Sequence, residues 1–296
     1  MKLSVVILNW NAAEDTNACI RSVKAWSVET SLRKPNIWVV DNGSQEPGLE
    51  EMKQEHPEVR FLSSHVNRGF AGGNNLGIVA AMEFGSDAIV LVNNDATVEG
   101  PSIFSMLKTL ASDPLIGVTG PTLWHGERLV SVGGRDIARH SATHLRPRQP
   151  PDHLLDVDYV SGTVALVSGA VFEKVGLLDE DYFFSGEMAD LCLRARRQGF
   201  RCVIDPQARA QHDLGRSSNI RETLHAYYIV RNRFLYIRKH YPRQKAWLYA
   251  LWTARGTYSV MKAIARGNLR RAQIVALGVV DGLTARFGGQ NERVLG

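Results

Sequence analysis

The sequence predicts an α/β fold in which helices pack on the faces of a parallel β-sheet. Apolar runs of strand length alternate with helical segments through the first part of the chain, and this alternation is typical of βαβ units. The composition agrees, because 296 residues, 44% hydrophobic and 22% charged, can bury the core of one large domain or of one domain with an appendage. The 11 Pro and 26 Gly residues exclude a fibrous or disordered chain.

The apolar pattern places each strand and helix of the first part. In chain order we expect the strand LSVVIL, a helix over Glu14–Trp26, the strand NIWVVD, a polar segment around Gly48–His56, the strand VRFLSS, a helix over Asn74–Phe84 and the strand AIVLVN. Polar residues close three of these strands, namely Asn9, Asp41 and Asp95. We expect them to gather along one rim, because open α/β sheets bind ligands beyond the carboxyl ends of their strands.

The rest of the chain divides into a helix, a loop region and a helical tail. After a helix over Pro101–Ser112, the stretch Thr119–His153 contains HLRPRQPPDH, which favours a surface linker but could instead be an acceptor loop. The segment DYVSGTVALVSGAVFEKVG predicts a strand and the start of a helix. The pattern from Ile220 onward is helical, and the sequence contains no internal repeat.

Cysteine content and hydropathy bear on where the protein works. The cysteines Cys19, Cys192 and Cys202 lack Cys-x-x-Cys spacing, so we expect buried thiols in a reducing, cytoplasmic compartment rather than disulfides or a zinc site. The apolar stretch Leu3–Leu8 is too short for a signal-peptide core. No run of about 18 apolar residues occurs, so the sequence predicts no transmembrane helix.

The segment Thr223–Val280 carries the positive charge of the protein. It contains 11 Lys or Arg residues and no Asp or Glu, and Tyr, Trp and Phe are interleaved with them. Basic residues with interfacial aromatics favour helices that lie on an anionic membrane surface. Alternatively, the aromatics pack these helices onto the rest of the protein. We expect no nucleic-acid partner, because no nucleic-acid motif is present.

Two short motifs indicate a ligand site without defining it. The strand AIVLV stops at Asn93-Asn94-Asp95, which in isolation favours a polar turn. NRGFAGGNN places Gly69, Gly72 and Gly73 before a predicted helix, where glycines allow close backbone approach and the helix N-terminus offers free N–H groups. This motif is not the Gly-x-Gly-x-x-Gly fingerprint, so a dinucleotide-binding dehydrogenase is disfavoured.

Six motifs follow the order and spacing of a known family: SVVILNWN, VVDNGS, NRGFAGGNN, VLVNND, the long segment Ser161–Phe200, and QHDLGRSS. With them the sequence resembles the family-2 inverting glycosyltransferases, in their bacterial rhamnosyltransferase-like branch. The resemblance implies an A-type glycosyltransferase fold, with a Rossmann-like nucleotide-sugar-binding sheet, over residues 1–217. It leaves a basic, amphipathic helical extension over residues 218–296.

The resemblance also implies a reaction. This would be metal-dependent, inverting transfer of a hexosyl or rhamnosyl group from a nucleotide-diphospho-sugar to a glycan or lipid-linked acceptor in surface polysaccharide assembly. Such an enzyme would be peripheral on the inner face of the cytoplasmic membrane. One rival is a non-catalytic glycan-binding or scaffold protein derived from such an enzyme. Another is a sugar nucleotidyltransferase, which is disfavoured because the Gly-rich basic N-terminal signature of that class is absent.

The resemblance assigns Mg²⁺ or Mn²⁺ to Asp95, because NND matches the family's Asp-x-Asp motif with Asn93 in place of the first Asp. One carboxylate suffices when substrate phosphate and water complete the coordination. His212 is the second candidate metal ligand, and Asp213 is a candidate to orient it. The implied substrate-binding residues are Asn9, Asn11, Asp41, Asn67, Arg68, Gly72, Gly73, Asn75, Asn93, Asn94, Gly162 and Arg231.

The largest departure from the family pattern concerns the catalytic base, the carboxylate that removes the acceptor proton in an inverting transfer. The family motif Glu-Asp-x-Asp-Leu-Cys-x-Arg reads here Glu-Met-Ala-Asp-Leu-Cys-Leu-Arg, so Met188 stands where the base Asp belongs. Asp190 has Arg194 four residues later, the spacing of an ordinary helix ion pair. We therefore predict Glu187, at the helix start, as the base, with Asp190 as the alternative.

Overall fold

The computed structural model of the protein describes residues 1–29, 34–212 and 219–296. Its first half contains β1 (Leu3–Asn9), α1 (Ala13–Glu29), β2 (Asn36–Asn42), α2 (Leu49–Glu55), β3 (Arg60–Ser64), α3 (Gly69–Glu83), β4 (Ala88–Asn93), β5 (Ala96–Val98) and α4 (Gly100–Ser112). Every strand and helix that the apolar pattern predicts for this half is present.

The second half adds β6 (Ile116–His125), β7 (Arg128–Ser131), β8 (Leu155–Asp156), β9 (Val164–Ser168), α5 (Gly169–Val175), α6 (Glu187–Arg197), β10 (Arg201–His212), α7 (Asn219–His240), α8 (Lys245–Ala265), α9 (Leu269–Leu283) and α10 (Asn291–Leu295). The stretch interpreted as a linker therefore begins as a β-hairpin, since β6 and β7 pair antiparallel. The sequence concealed β6 because Gly120 and Pro121 interrupt it, and both residues weaken a strand pattern.

The strands form a mixed sheet with the order β3-β2-β1-β4-β9-β6-β10-β5, in which β7 and β8 pair at the margins. The first four strands are parallel, as predicted. Beyond the segment for which parallel strands were predicted the sheet becomes mixed, because β9 runs antiparallel to both β4 and β6. The chain reaches β9 from β7 through residues 132–163 without a crossover helix, and antiparallel neighbours need none.

Helix α3 begins at Gly69, five residues earlier than the sequence predicted. Only Gly69 among the first glycines of this helix has a positive φ, of 72°. Gly73 serves packing instead: a Cβ atom there would come within 2.4 Å of Leu8 Cδ1 of β1. The glycines therefore bring α3 close to the sheet.

Two hydrophobic cores cover the two faces of the sheet, and the C-terminal helices belong to one of them. One core joins Val6 and Leu91 of the sheet to Phe234, Trp252 and Val279 of α7, α8 and α9. The other contains the side chains of β1 and β4 that point the opposite way, packed on α1 and α4. The proposed boundary at residue 217 lies outside the described residues and stays a prediction. No helix of the described ranges is long and apolar enough to cross a bilayer.

Candidate active site

The carboxyl ends of β1, β2 and β4 carry the predicted polar rim. Asn9 and Asp41 are register partners, and Asn9 Nδ2 donates a hydrogen bond of 3.0 Å to Asp41 Oδ1. Thr16 of α1 extends this chain, since its hydroxyl donates to Asn9 Oδ1 at 2.8 Å and accepts from Asn94 Nδ2 at 3.0 Å. The expected gathering of polar side chains at one edge is therefore present.

Asn11 shapes the loop beside this rim. Its φ of 50° lies in the left-handed region, which Asn tolerates better than most residues. Asn11 Oδ1 accepts from the backbone N–H of Gln45 at 2.7 Å, and its own N–H donates to Ser44 Oγ at 2.9 Å. These bonds hold the turn after β2 against the end of β1.

Asp95 and His212 meet because β5 and β10 pair antiparallel with His212 opposite Ala96. His212 Nε2 lies 3.5 Å from Asp95 Oδ1, and this nitrogen is buried and makes no hydrogen bond. A carboxylate and a neutral imidazole fit a divalent cation that also takes phosphate and water oxygens. Within the described ranges no cluster of three or more potential ligand side chains occurs. Asp213 lies outside those ranges.

A cavity of about 670 Å³, within the size range of ligand sites, is lined by four of the predicted site residues: Asn93, Gly162, Glu187 and His212. Residues of the stretch interpreted as a linker also line it, among them Thr143 and Arg146. The linker interpretation is therefore wrong for this part of the stretch, which forms wall of the cavity. Ile229 and Arg233 of α7 complete the lining from the C-terminal helices.

Glu187 is the first residue of α6 and is 6% exposed. Its Oε2 atom has no hydrogen-bond partner. Burial raises the pKa of Glu187 to about 7, a rise that nearby backbone N–H groups oppose and the negative charge of Asp190 reinforces. Glu187 thus presents a carboxylate with an unengaged oxygen at the cavity.

Asp190 is fully buried, and both of its oxygens are engaged. Arg194 Nε donates to Oδ2 at 2.7 Å, which is the helix ion pair that the spacing predicted. His240 Nε2 lies 2.7 Å from Oδ1, and the Tyr182 hydroxyl lies 3.4 Å from the same atom. Burial alone would raise the pKa of Asp190, but the bond from His240 and the charge of Arg194 hold it below its usual value.

The loop before α6 has an uncommon backbone. Phe183 (φ 60°, ψ −58°) is the centre of a γ-turn in which the N–H of Phe184 donates to the Tyr182 carbonyl at 2.6 Å. Ser185 (φ 70°) and Gly186 (φ 105°) follow in left-handed conformations. Each such conformation at a non-glycine residue costs about 1–3 kcal/mol and persists only where the surroundings enforce it. The entry of the chain into Glu187 is therefore set by contacts from outside the loop.

Residues 4–176 match the sequence model of glycosyl transferase family 2. The chain belongs to glycosyl transferase family 2. It is a glycosyltransferase of the nucleotide-sugar-dependent kind, as the six motifs predicted, and its curated relatives include rhamnosyl- and hexosyltransferases.

Three relatives illustrate the sequence similarity. The glycosyltransferase is 24% identical over 290 residues to the N-acetylglucosaminyl-diphospho-decaprenol L-rhamnosyltransferase of Mycobacterium tuberculosis, covering 86% of this chain and 92% of the relative. It is 27% identical over 225 residues to the dTDP-rhamnosyl transferase RfbF of Shigella flexneri, covering 72% and 74%. It is 25% identical over 244 residues to the low-salt glycan biosynthesis hexosyltransferase Agl10 of Haloferax volcanii, covering 79% and 74%.

Solved structures share the fold. The mannosyltransferase PcManGT from Pyrobaculum calidifontis, in complex with GDP-Man and Mn²⁺, has a TM-score of 0.62 at 14% identity, covering 95% of this chain and 87% of that one. GalNAc-T7 with UDP, GalNAc and Mn²⁺ has a TM-score of 0.64 at 17% identity, covering 83% of this glycosyltransferase and 49% of that chain. The predicted A-type glycosyltransferase fold is confirmed.

The donor role expected of NRGFAGGNN stays a prediction, and its backbone groups bond within the protein in the structure of this glycosyltransferase. The N–H of Gly69 donates to Asn67 Oδ1 at 2.8 Å, and the N–H of Phe70 donates to the Phe183 carbonyl at 2.6 Å. The start of α3 is thus occupied by the protein's own acceptors. Phe70 lines the cavity. The predicted site residues that are absent from its lining, among the described residues, are Asn9, Asn11, Asp41, Asn67, Arg68, Gly72, Gly73, Asn75, Asn94, Asp95, Asp190 and Arg231.

Residues of NRGFAGGNN fasten α3 to the segment before α6. Asn75 donates to the Leu178 carbonyl at 2.9 Å and accepts from the Leu178 N–H at 3.0 Å. Arg68 forms an ion pair of 3.1 Å with Glu180, and a Cβ atom at Gly72 would approach Glu180 as well. The motif therefore supports the loop that leads to Glu187, a task that spacing alone does not reveal.

Arg231, which the resemblance implied as a substrate-binding residue, makes its contacts inside the protein. It is fully buried, and its guanidinium donates to the backbone carbonyls of Gly288 at 2.5 Å and of Asp181 and Tyr182 at 2.9 Å. Its Nε donates to Asn232 Oδ1 at 2.8 Å. These partners occupy the guanidinium, so Arg231 is an internal anchor of the glycosyltransferase.

Sequence reasoning missed three residues that organise the site. Thr16 links two strand ends, Asn42 accepts from the Arg68 N–H at 2.9 Å, and His240 binds Asp190 across 50 residues of sequence. VVDNGS contains Asn42 and was noted for its neighbour Asp41. No local pattern identifies Thr16 or His240, because each partner is distant in sequence or on another element.

Proposed function

We propose that this family 2 glycosyltransferase transfers its sugar with inversion in one displacement, with Glu187 as the base that removes the acceptor proton. The observation that carries the proposal is the Glu187 carboxylate, which is buried, lines the cavity and keeps one oxygen without a hydrogen-bond partner. A general base has to reach the hydroxyl proton directly. The oxygens of Asp190 are already bonded to Arg194 and His240, so Asp190 is the weaker candidate.

The donor would bind across the rim and the Asp–His pair. Asp41 would offer its carboxylate to the base or ribose of a nucleotide, and Asn9, which donates to Asp41 Oδ1, would orient that carboxylate. Asp95 and His212 would hold Mg²⁺ or Mn²⁺, and this ion would offset the charge that develops on the leaving diphosphate. The Mn²⁺ in PcManGT and GalNAc-T7, which share the fold, supports this assignment.

We assign a glycan or lipid-linked acceptor in surface polysaccharide assembly. The rhamnosyltransferase from Mycobacterium tuberculosis carries a lipid diphosphate in its name, and RfbF and Agl10 are a rhamnosyl- and a hexosyltransferase. Arg146 in the cavity wall suits an acceptor that bears phosphate, because guanidinium groups bind phosphate oxygens. A rhamnosyl or hexosyl donor is the first to be tested.

We further propose that α8 rests on an anionic membrane. Its outer face carries an apolar stripe, the α8 stripe, which consists of exposed residues three or four positions apart: Trp247, Ala250, Ala254, Tyr258 and Met261. The opposite face, with Leu248 and Trp252, is buried in the protein, so the fold itself does not use the stripe. Exposed Arg255, Lys262 and Arg266 accompany it, and an acid-free basic helix with interfacial aromatics favours anionic lipid. We propose no nucleic-acid partner.

A screen of nucleotide-sugars by thermal shift, with Mn²⁺ and with EDTA, tests donor and metal together. The right donor raises the melting temperature by mass action, and the rise should require Mn²⁺ and Asp95. Asp95→Asn is the matched variant. An equal donor shift in Mn²⁺ and in EDTA, for both proteins, would refute the metal role. Met188 keeps one rival open, a non-catalytic glycan-binding protein, and transfer of sugar at any measurable rate would exclude it.

A further inference from the structure

Two adjacent side chains of α7 reach the loop that enters α6. Asn232 Nδ2 lies 2.9 Å from the carbonyl oxygens of Tyr182 and Phe184 and 2.5 Å from that of Ser185. Arg231 Nη2 lies 2.9 Å from the carbonyl oxygens of Asp181 and Tyr182. Backbone acceptors of residues 181–185 thus converge on one Arg-Asn pair from the C-terminal helices.

The pair is itself oriented. Arg231 Nε donates to Asn232 Oδ1 at 2.8 Å. This bond turns the amide oxygen of Asn232 toward Arg231 and the amide N–H groups of Asn232 toward the loop. The Arg231 guanidinium also lies 4.8 Å from the ring centroid of Tyr228. Both side chains are at most 1% exposed, so water does not compete for these bonds.

The loop needs these donors because of its own geometry. Its γ-turn at Phe183 and left-handed Ser185 turn carbonyl groups toward one point, where they would repel one another without a donor between them. The first backbone bond of α6 starts from this loop, since the N–H of Asp190 donates to the Gly186 carbonyl at 3.0 Å. A shift of the loop therefore moves Glu187.

The contact of α7 is not limited to the loop, because α7 also bonds to α6 itself. His240 bonds to Asp190, and Arg197 Nη2 donates to the His240 carbonyl at 2.9 Å. Lys239 also forms an ion pair with Asp179, which lies before the loop that enters α6. The last turn of α7 therefore fixes the body of α6, while Asn232 fixes its entrance.

We propose that Asn232, oriented by Arg231, is a positioning residue that fixes the Glu187 carboxylate in the cavity, so that the C-terminal helix α7 completes the catalytic machinery. This inference rests on the proposed role of Glu187 as the base. It gives the Arg-Asn pair a task within the protein, and it makes the helical extension part of the active site.

A double-mutant cycle tests the inference. Asn232→Ala should lower kcat by about 10- to 100-fold, because a displacement of about 1 Å in a reacting group costs that much, while nucleoside-diphosphate affinity changes less than about twofold. In the Glu187→Gln background the same substitution should change kcat by less than about twofold, because there is no base left to position. Equal losses in both backgrounds, or no loss in either, would overturn the proposal.

Asn291→Ala is the matched control, because it removes the acceptor of a 2.8 Å hydrogen bond from Tyr228 on the same helix α7. Tyr228 stacks on Phe183 of the loop, so this variant disturbs the packing on the loop and leaves the donors to its carbonyl groups in place. All rates are measured well below the melting temperature of the least stable variant. If Asn232→Ala does not fold, Asn232→Ser, which keeps one hydrogen-bond donor, replaces it. The same results of the double-mutant cycle then support or overturn the proposal. The control should retain near-wild-type kcat, and a loss equal to that of the Asn232 variant would overturn the proposal.

Hydrogen exchange separates this inference from the proposed function. Amides of residues 183–188 should exchange faster in the Asn232 variant than in Asn291→Ala. Equal exchange in the two variants would overturn the proposal that Asn232 holds the loop, whether or not either variant is active. A wild-type protein that transfers no sugar from any donor would refute the proposed function, and the exchange result would still decide whether Asn232 holds the loop.

Discussion

The burial of the Glu187 carboxylate has opposite effects on activity and on stability. Burial raises its pKa to about 7, which suits a base that works near neutral pH. The same burial makes the ionised form unfavourable in the folded protein, because an unpaired buried charge lacks hydration. Stability and activity therefore make contrary demands on this one side chain.

We expect kcat/KM to rise with pH through a limb centred near pH 7, as Glu187 loses its proton in the free enzyme. The neighbouring Asp190 is ionised well below this range, because the pKa of that carboxyl is held low. A pH profile on the true acceptor, measured over about pH 3.5 to 9, checks this. A limb near the ordinary Glu pKa, around 4.3, would contradict the burial of the working base.

Glu187→Gln should make the protein more stable at neutral pH. The folded state raises the Glu187 pKa from 4.5 to about 7, so the stability contributed by this group is complete below pH 4.5 and declines as pH rises toward 7. Glutamine cannot ionise, so the variant should gain up to roughly 3 kcal/mol above pH 7 and little near pH 4.5. Urea unfolding of both proteins near these two pH values measures the difference. A gain independent of pH would contradict it.

Local spacing revealed part of the arrangement around Glu187. The Asp190–Arg194 pair followed from four residues on one helix, and the freedom of Glu187 followed from its place at the helix start. His240 and Asn232 could not be identified from local spacing. His240 lies 50 residues after Asp190, and Asn232 lies 47 to 50 residues after the loop carbonyls to which it donates. Only the packing of α7 brings them together.

Helix α3 illustrates how an element can be predicted correctly while its first residue is misplaced. Its apolar pattern gave the helix, but glycines disfavour helix interiors, so the sequence placed the start after them. In the fold the glycines are inside the helix and allow close packing on β1. Phe183 then occupies the N–H groups that were expected to meet the donor.

The α8 stripe gives a prediction for membrane binding. Trp247→Glu with Met261→Glu should weaken sedimentation with anionic liposomes, because both side chains are exposed, at 64% and 57%, and lie on the outer face. Added salt should weaken binding of the wild type as well, since exposed charges are screened within about 10 Å at 0.1 M.

Leu115→Glu is the control for that experiment, because Leu115 is 55% exposed in the turn before β6, away from α8. It adds a charge to an exposed apolar position without touching the stripe. Equal partitioning of the control and the α8 variant, or binding that ignores anionic lipid, would count against the membrane surface.

The whole molecule is more unified than a catalytic domain with an attached tail. Phe234, Trp252 and Val279 of the C-terminal helices share a core with Val6 and Leu91 of the sheet. The sequence left two roles open for the aromatic residues of the C-terminal helices, packing onto the protein and contact with a membrane. The structure contains residues of both kinds, since some pack inward and others are exposed on α8. The charge of the segment was visible in the sequence, but the direction of each side chain was not.

The overall architecture was predictable where the signals were periodic. Continuous apolar strands such as β4 identified the parallel half of the sheet and its ligand edge, and ordered motifs identified the family. The antiparallel half was hidden, because β6 contains Gly and Pro and because β10 has a register shift between Asp205 and Arg209. The cavity wall from residues 137–146 depends on that half, so its role could not be predicted.

Turnover of Glu187→Gln on the true donor and acceptor decides whether this fold works as described. We expect kcat to fall by about 10²- to 10⁴-fold while donor affinity stays nearly unchanged, because a base contributes to the rate and not to donor binding. Asp190→Asn should instead lower the free energy of unfolding by roughly 3 kcal/mol, as expected when a buried ion pair loses one partner. Near-wild-type turnover of Glu187→Gln, together with a folded but inactive Asp190→Asn, would contradict the account and assign the base to Asp190.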